Sequence, residues 1–145
     1  MSKGLPRTLI EETLLPTPGQ LHHVELYVSN LERSSEFWGW FLESLGYQLF
    51  QSWEKGRSWK LGETYIVIVQ VEERFADAPY HRCHVGLNHL AFHADSRAQV
   101  DTILEQLKGR GITILYPDRH PHNSNPYAIF FEDPDRIKVE LVAPE

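Results

Sequence analysis

Hydrophobic and polar residues alternate over the first recognisable element of the chain and then change to a helical spacing. Residues 21–29 alternate as in a strand, and Ser29 and Asn30 offer a helix cap directly before Leu31. The apolar residues that follow lie mostly three or four positions apart as far as Gly46, which predicts one amphipathic helix. Three more strands are predicted at 47–53, 58–61 and 64–71. The first unit of the chain is therefore β-α-β-β-β.

The same order of elements returns in the second half. Residues 87–94 predict a strand, Asp95 and Ser96 offer a cap, and a helix with one apolar face extends to the glycines at 109–111. The remaining strands are predicted at 112–116, 127–132 and 137–143. The chain thus contains two diverged copies of one unit.

The spacing of particular residues supports this repeat. His89 follows His23 by 66 residues, and each lies in the first strand of its unit. Gln70 and Glu140, 70 residues apart, lie between apolar neighbours near the ends of the units, and we pair them. We therefore expect an N-terminal arm followed by one domain of two modules and a linker. The predicted bounds are 1–20 for the arm, 21–145 for the domain, about 21–72 and 87–143 for the modules, and 73–86 for the linker.

Composition narrows the class of protein. A length of 145 residues and an apolar share of 41% are typical of one globular domain. A formal net charge of −6 disfavours nonspecific binding to nucleic acids or anionic membranes, and no run of about 18 apolar residues predicts a spanning helix. Cys83 is the only cysteine, which favours a reducing compartment and a cytoplasmic location. We expect a small-molecule substrate or ligand as the partner, and neither a nucleic acid nor a membrane.

The two matched histidines point to a metal site. Strand alternation allows His23, His89 and Glu140 to lie on corresponding faces of the two modules. Two imidazoles and one carboxylate suit Zn, Ni, Mn or Fe(II), with positions left open for substrate or water. Glu140 has apolar neighbours on both sides, and a carboxylate is costly to bury unless something offsets its charge. Gln70 is a candidate fourth ligand or hydrogen-bonding group.

Three segments together resemble a known family. They are LHHVELYVSNLERSSEFW from residue 21, GLNHLAF from residue 86 and YAIFFEDPDRIKVEL from residue 127. They resemble the vicinal oxygen chelate superfamily, which includes glyoxalase I, extradiol dioxygenases, fosfomycin-resistance enzymes and bleomycin-binding proteins. The similarity covers roughly residues 20–143. It implies an α+β fold in which two β-α-β-β-β modules form a cup-shaped, mostly antiparallel sheet with helices on the outside, commonly in a homodimer.

The resemblance also implies roles for particular residues. His23, His89 and Glu140 match the family's metal ligands, with Glu140 also catalytic when it releases the metal, and His22 is expected on the opposite face. Members similar to glyoxalase I often close the first module with glutamate, so Gln70 leaves that base absent. The family's pocket is lined by inward-facing residues. The candidates for substrate contact here are Glu25, Trp53, Trp59 and Tyr127.

Arg136 departs from the family pattern, because it replaces the glycine of the DPDG turn. We expect strain there if its φ is positive. Irregular segments hold four further histidines, which are usually exposed in such places, and we expect no second metal site from them. They are His81, His84, His120 and His122.

Several functions fit this pattern. We favour a glyoxalase-like, metal-dependent lyase or isomerase acting on a small oxygen-bearing molecule. An Fe(II) dioxygenase and a fosfomycin-type transferase use the same three ligands and stay open as alternatives. A metal-free protein of the bleomycin-resistance type, which would bind a drug or metabolite in an aromatic-lined cup, is the alternative from another class.

Overall fold

The computed structural model describes residues 16–119 and 125–145, where the predicted order of elements is found. The first module begins with strand β1 (His23–Val28) and helix α1 (Leu31–Ser44). It continues with strands β2 (Gln48–Trp53), β3 (Gly56–Leu61) and β4 (Thr64–Gln70). Residues 1–15 of the expected arm, and with them His120 and His122 of the loop histidines, lie outside the described residues.

The second module repeats this order. Its elements are β5 (His89–His93), α2 (Arg97–Gly109), β6 (Ile114–Leu115), β7 (Ala128–Glu132) and β8 (Lys138–Val142). Strand β6 is shorter than the predicted 112–116, and it ends before Tyr116, which takes a left-handed backbone conformation with φ of 53°. A 3-10 turn, Pro117–Arg119, follows directly.

Both helices begin at the side-chain caps that the sequence offers. Asn30 Oδ1 accepts a hydrogen bond from the backbone N–H of Arg33 at 3.1 Å, and Ser96 Oγ accepts one from that of Gln99 at 3.0 Å. Gly46 follows α1 with φ of 100°, a conformation that glycine adopts without a steric cost. Among the described residues, neither helix is long and apolar enough to cross a membrane.

Each module forms its own four-stranded sheet. The strand order is β1-β4-β3-β2 in the first sheet and β5-β8-β7-β6 in the second. The pairs β1–β4 and β5–β8 are parallel, and the other pairs are antiparallel. The predicted α+β fold with two modules of mostly antiparallel strands is confirmed. In the described part of the chain, β1 and β5 are edge strands that pair on one side only.

The two modules share one hydrophobic core. Trp38 and Phe41 of α1 are fully buried, and the Phe41 ring lies 5.4 Å from Phe92 and 5.2 Å from Phe131 of the second sheet. The same helix covers the first sheet, because Gly39 lies against Trp59. Both sheets therefore turn one face toward this core. Their other faces, which we call the outer faces, point away from each other.

The turn between β7 and β8 fastens the second module to the first. Asp133 is 4% exposed and accepts hydrogen bonds from Trp38 Nε1 at 3.0 Å and from the backbone N–H of Ile137 at 2.7 Å. Burial raises the pKa of Asp133 to about 6. Asp135 accepts from the backbone N–H of Ser29 at 3.0 Å. Arg136 has a positive φ of 66°, the condition under which strain is expected in this turn.

Candidate metal centre

The strand pairing determines which side chains share the outer faces. Side chains alternate along a strand, so every second residue of a β-strand lies on one face. On the first sheet, the two parallel strands place on the outer face His23, Glu25, Tyr27, Tyr65, Val67 and Val69. On the second sheet, the two parallel strands place there His89, Ala91, His93, Lys138, Glu140 and Val142. The matched histidines thus lie on the outer faces of different sheets.

His89 and Glu140 form a half-buried pair on the second sheet. His89 Nε2 lies 3.1 Å from Glu140 Oε2, and the two side chains are 33% and 15% exposed. On the other side of the ring, His89 Nδ1 lies 2.7 Å from Asn88 Oδ1. The amide of Asn88 is oriented, because its Nδ2 donates to the backbone carbonyl of Arg82 at 3.1 Å. His89 Nδ1 therefore carries a proton, which it donates to Asn88.

A proton on Nδ1 is compatible with a neutral or a charged ring, and in the neutral form two acceptors face each other. A neutral His89 presents the Nε2 lone pair to the Glu140 carboxylate, and acceptors 3.1 Å apart repel unless a proton or a cation lies between them. Two ligand atoms bonded to one zinc-like ion at about 2.0–2.2 Å are themselves roughly 3.0–3.5 Å apart. Metal-binding histidines also usually donate their second ring N–H to a nearby acceptor, as His89 does. The pair fits one side of a divalent metal site.

His23 has a different setting on the first sheet. It is exposed, stacks on Tyr65 with ring centroids 4.7 Å apart, and has its Nδ1 2.9 Å from Nδ1 of His22. The expectation that His22 lies on the opposite face is wrong, because His22 precedes the first residue of β1 and does not follow its alternation. As at His89, Nδ1 is engaged, and Nε2 is the atom left for a ligand.

A single chain does not bring the three predicted ligands together. Residues 16–119 and 125–145 contain no group of three or more histidine, cysteine, aspartate or glutamate side chains that could hold a metal ion. His89 and Glu140 are adjacent, whereas His23 lies on the outer face of the other sheet. The reason is the shared core, which directs the two outer faces away from each other.

The pairing of Gln70 with Glu140 is wrong. Gln70 lies opposite Val28 on the inner side of the first sheet, and Val67 holds the place that Glu140 has in the second. The amide of Gln70 donates to the Ser29 carbonyl and accepts from the backbone N–H of Leu31, both at 2.9 Å. It thereby joins β1 to the start of α1. The loops differ in length between modules, so the offset between corresponding residues grows from 66 at the histidines to 73 at the last strand, where the pairing had used 70.

The four residues predicted to contact substrate are divided between the two sides of the sheets. Glu25 and Trp53 lie in outer-face rows. Trp59 is 3% exposed against α1. The hydroxyl of Tyr127 donates to Asp101 of α2 at 2.5 Å, and this bond raises the pKa of Tyr127. Trp59 and Tyr127 therefore lie on the inner side of the sheets. Alternation along one strand does not give its register against the neighbouring strands, so the sequence alone did not show which face these two residues occupy.

Two outer-face residues near the site were missed. Tyr65 stacks on His23, and the Phe130 ring centroid lies 6.1 Å from that of His89. Their position could have been found by counting in steps of two from the candidate ligands on neighbouring strands. A cavity of about 440 Å³ reaches the same face near Glu25. It is lined in part by Tyr27, Phe75, Tyr80, Leu87 and Ile137.

Comparison with known proteins identifies the family. Residues 20–141 match the model of the Glyoxalase/Bleomycin resistance protein/Dioxygenase superfamily. The chain belongs to this superfamily. One superfamily relative is YqjT of Bacillus subtilis, itself uncharacterised, which is 60% identical over 126 residues that cover 86% of this chain and 98% of YqjT.

Two further matches extend the comparison. A crystal structure from Bacillus halodurans, described as that of a glyoxalase candidate, is 56% identical with a TM-score of 0.85 and covers 88% of this chain and 97% of its own. Glutathione transferase FosA of Serratia marcescens is 28% identical over 121 residues, covering 83% of this chain and 78% of FosA. The superfamily thus accounts for both modules of the domain.

Proposed function

We propose that this superfamily member is a glyoxalase-like, metal-dependent lyase or isomerase that acts on a small oxygen-bearing molecule. The observation that carries the proposal is the His89–Glu140 pair, in which Nε2 lies 3.1 Å from Oε2 while Nδ1 lies 2.7 Å from Asn88 Oδ1. Such a pair suits a divalent Zn, Ni, Mn or Fe ion. His23 is the third ligand of the proposed site.

We propose that the site draws on two copies of the chain. The outer faces of one chain point apart, so His23 can approach His89 and Glu140 only from another copy. The edge strands β1 and β5 of the described chain each leave one side unpaired, which allows β1 of one copy to lie beside β5 of the other. A twofold pair of chains would then contain two equivalent sites.

The chemistry follows from the ligand set and its neighbours. A divalent metal bound there would supply a Lewis acid that polarises adjacent oxygens of the substrate. Glu140 is a ligand and, when it leaves the metal, a candidate base. Glu25 is a second carboxylate on an outer face, and within the described residues it forms no hydrogen bond or ion pair. Glu25 is therefore available to contact substrate or to accept a proton.

One observation favours a second candidate, a metal-free protein that binds a drug or metabolite. Large aromatic side chains remain exposed on the outer face of the first sheet, with Tyr27 60%, Phe50 46% and Trp53 41% exposed. Such an array can hold a planar or cationic ligand without a metal. A fosfomycin-type transferase, which the similarity to FosA favours, and an Fe(II) dioxygenase would use the same three ligands.

Metal content separates the metal-dependent candidates from the metal-free binding protein. We expect protein purified without a histidine tag to bind about one Zn, Ni or Mn ion per chain, measured by elemental analysis and calorimetric titration. His23→Ala and Glu140→Ala should each lose tight binding, whereas His93→Ala, a histidine change on the same face of β5, should retain it. Wild-type protein that binds no metal, or variants that bind it unchanged, would contradict the proposal.

Mixing the two variants tests the sharing of the site. In a mixed dimer of His23→Ala and Glu140→Ala chains, one site contains both substitutions and the other contains neither. We therefore expect tight metal binding to return after the two proteins are unfolded and refolded together. If no binding returns although mixed dimers form, each site lies within one chain and the two-chain arrangement is wrong.

A further inference from the structure

The last strand of the second module carries a lysine that the proposed metal site does not use. Lys138 lies on the outer face, opposite His89 and two residues before Glu140. Its other neighbour across the sheet, Glu132, is bonded to Arg82 at 2.8 Å and lies 3.6 Å from Arg136. Within residues 16–119 and 125–145, Lys138 forms no ion pair with a carboxylate.

Lys138 instead contacts two aromatic rings beside the His89–Glu140 pair. Its Nζ donates to Tyr116 Oη at 2.9 Å and lies 4.9 Å from the ring centroids of Tyr116 and Phe130. The Arg119 guanidinium lies 4.7 Å from the Tyr116 ring centroid. Two cations thus surround one phenol in a chain whose net charge is −6. The local potential next to Glu140 is more positive than that of the chain as a whole.

Tyr116 has an unfavourable backbone conformation. Its φ of 53° is rare for a bulky residue other than glycine, and such strain is often found at functional sites. Its ring meets that of Phe130 edge-on, with centroids 5.5 Å apart. The contacts with Phe130 and Lys138 therefore hold the Tyr116 ring in place against this strain, although the residue is 38% exposed.

From these contacts we propose that Lys138 and Tyr116 form an oxyanion subsite, which binds a carboxylate or phosphate-type group of the substrate. The Lys138 ammonium has three N–H donors, of which one is used, and Tyr116 accepts that bond and keeps its own O–H to donate. Two N–H groups and one O–H group therefore remain for an anion, and charge-assisted bonds of this kind are the strong ones. The inference rests on the proposed function only in naming the ligand as the substrate of the metal site.

The subsite is tested on metal-free protein, so that its outcome does not depend on the metal. Inorganic phosphate, and acetate in a second series, are titrated at constant ionic strength while backbone amide signals are followed by NMR. We expect saturable shifts centred on Tyr116 and Lys138. Lys138→Gln should weaken anion binding about five-fold or more, and Tyr116→Phe about three-fold, since each removes a donor to a charged group.

Two variants serve as controls. Lys138→Arg keeps the positive charge and should keep anion binding within about two-fold, and Lys108→Gln removes a lysine charge on α2 and should leave it unchanged. If neither anion saturates the wild type, or if Lys138→Gln binds as well as the wild type, the inference is wrong. Calorimetric metal titration of Lys138→Gln, expected to match the wild type, separates this failure from a failure of the metal site.

Discussion

The two outer faces carry the same histidine but different neighbours. His23 is exposed beside Tyr65, whereas His89 is half-buried and has a polar partner atom on each side of its ring. The carboxylates also differ in strand. The first module carries Glu25 on β1 opposite Val67, and the second carries Glu140 on β8 opposite Ala91.

The two modules share the position of the histidine but not the charge of the residues around it. The backbone position of the histidine is kept. In each module it is the first residue of the first strand, and the helix follows that strand. The charge around it is not kept, since Tyr65 of the first module corresponds in register to Lys138 of the second. The second module holds a prearranged half of the proposed centre, and the first contributes an exposed histidine and an aromatic surface.

The largest expected effect is on metal affinity, when Glu140 is replaced by valine, the residue that the first module has at the corresponding position, Val67. Glu140→Val should lower the affinity for Zn or Ni about 100-fold or more, because a charged ligand is lost and His89 keeps only its bond to Asn88. Calorimetric titration measures the change.

Adding Ala91→Glu to that variant places the carboxylate on β5, as Glu25 lies on β1. Recovery of part of the affinity would mean that either strand can supply the carboxylate. Unchanged affinity in Glu140→Val alone would contradict the proposed ligand set.

The next largest effect is on the pH dependence of folding stability, and it comes from the turn before the last strand of each module. In the first module this turn contains Gly62, whereas in the second it contains the buried Asp133, whose pKa is raised to about 6 by burial. Ionised Asp133 therefore costs stability in the folded state. This cost is absent below about pH 4, where the carboxyl is protonated in both states, and grows until the pH exceeds about 6, reaching at most about 3 kcal/mol.

Denaturant unfolding between pH 4 and 7 measures this dependence. The contribution of Asp133 should make stability fall as the pH rises through this range, and Asp133→Asn should remove that part of the slope. The substitution also leaves the Trp38 N–H poorly bonded, but that loss does not vary with pH. The prediction fails if wild type and Asp133→Asn have parallel curves, or if the Trp38 indole NMR signal shows no midpoint near pH 6.

A smaller effect is expected at Gln70, which the second module replaces by Ala143 at the same register. Gln70→Ala should lower the free energy of unfolding by about 1–2 kcal/mol, because two hydrogen bonds to the β1–α1 connection are lost. Metal affinity should not change, since the side chain lies on the inner side of the sheet. A loss of metal binding without a loss of stability would restore Gln70 as a ligand.

The sequence predicted the helices and strands well, because hydrophobic alternation and helix caps are both local signals. Neighbouring residues alone determine the alternation around His23 and the caps Asn30 and Ser96. The structure confirms this strand and both caps. The positions of Gln70, Trp59 and Tyr127 depend on strand register and on which face meets the core. Those are set by loop lengths and by packing between distant segments, so counting along one strand could not find them.

The burial of Trp38 gives the molecule a built-in optical signal. All four tryptophans, Trp38, Trp40, Trp53 and Trp59, lie in the first module, so tryptophan fluorescence arises from that half alone. Trp38 is fully buried and donates to Asp133 of the other half. Separation of the two modules would expose this indole to water and shift its emission to longer wavelength, and docking of the halves can be followed without any added label.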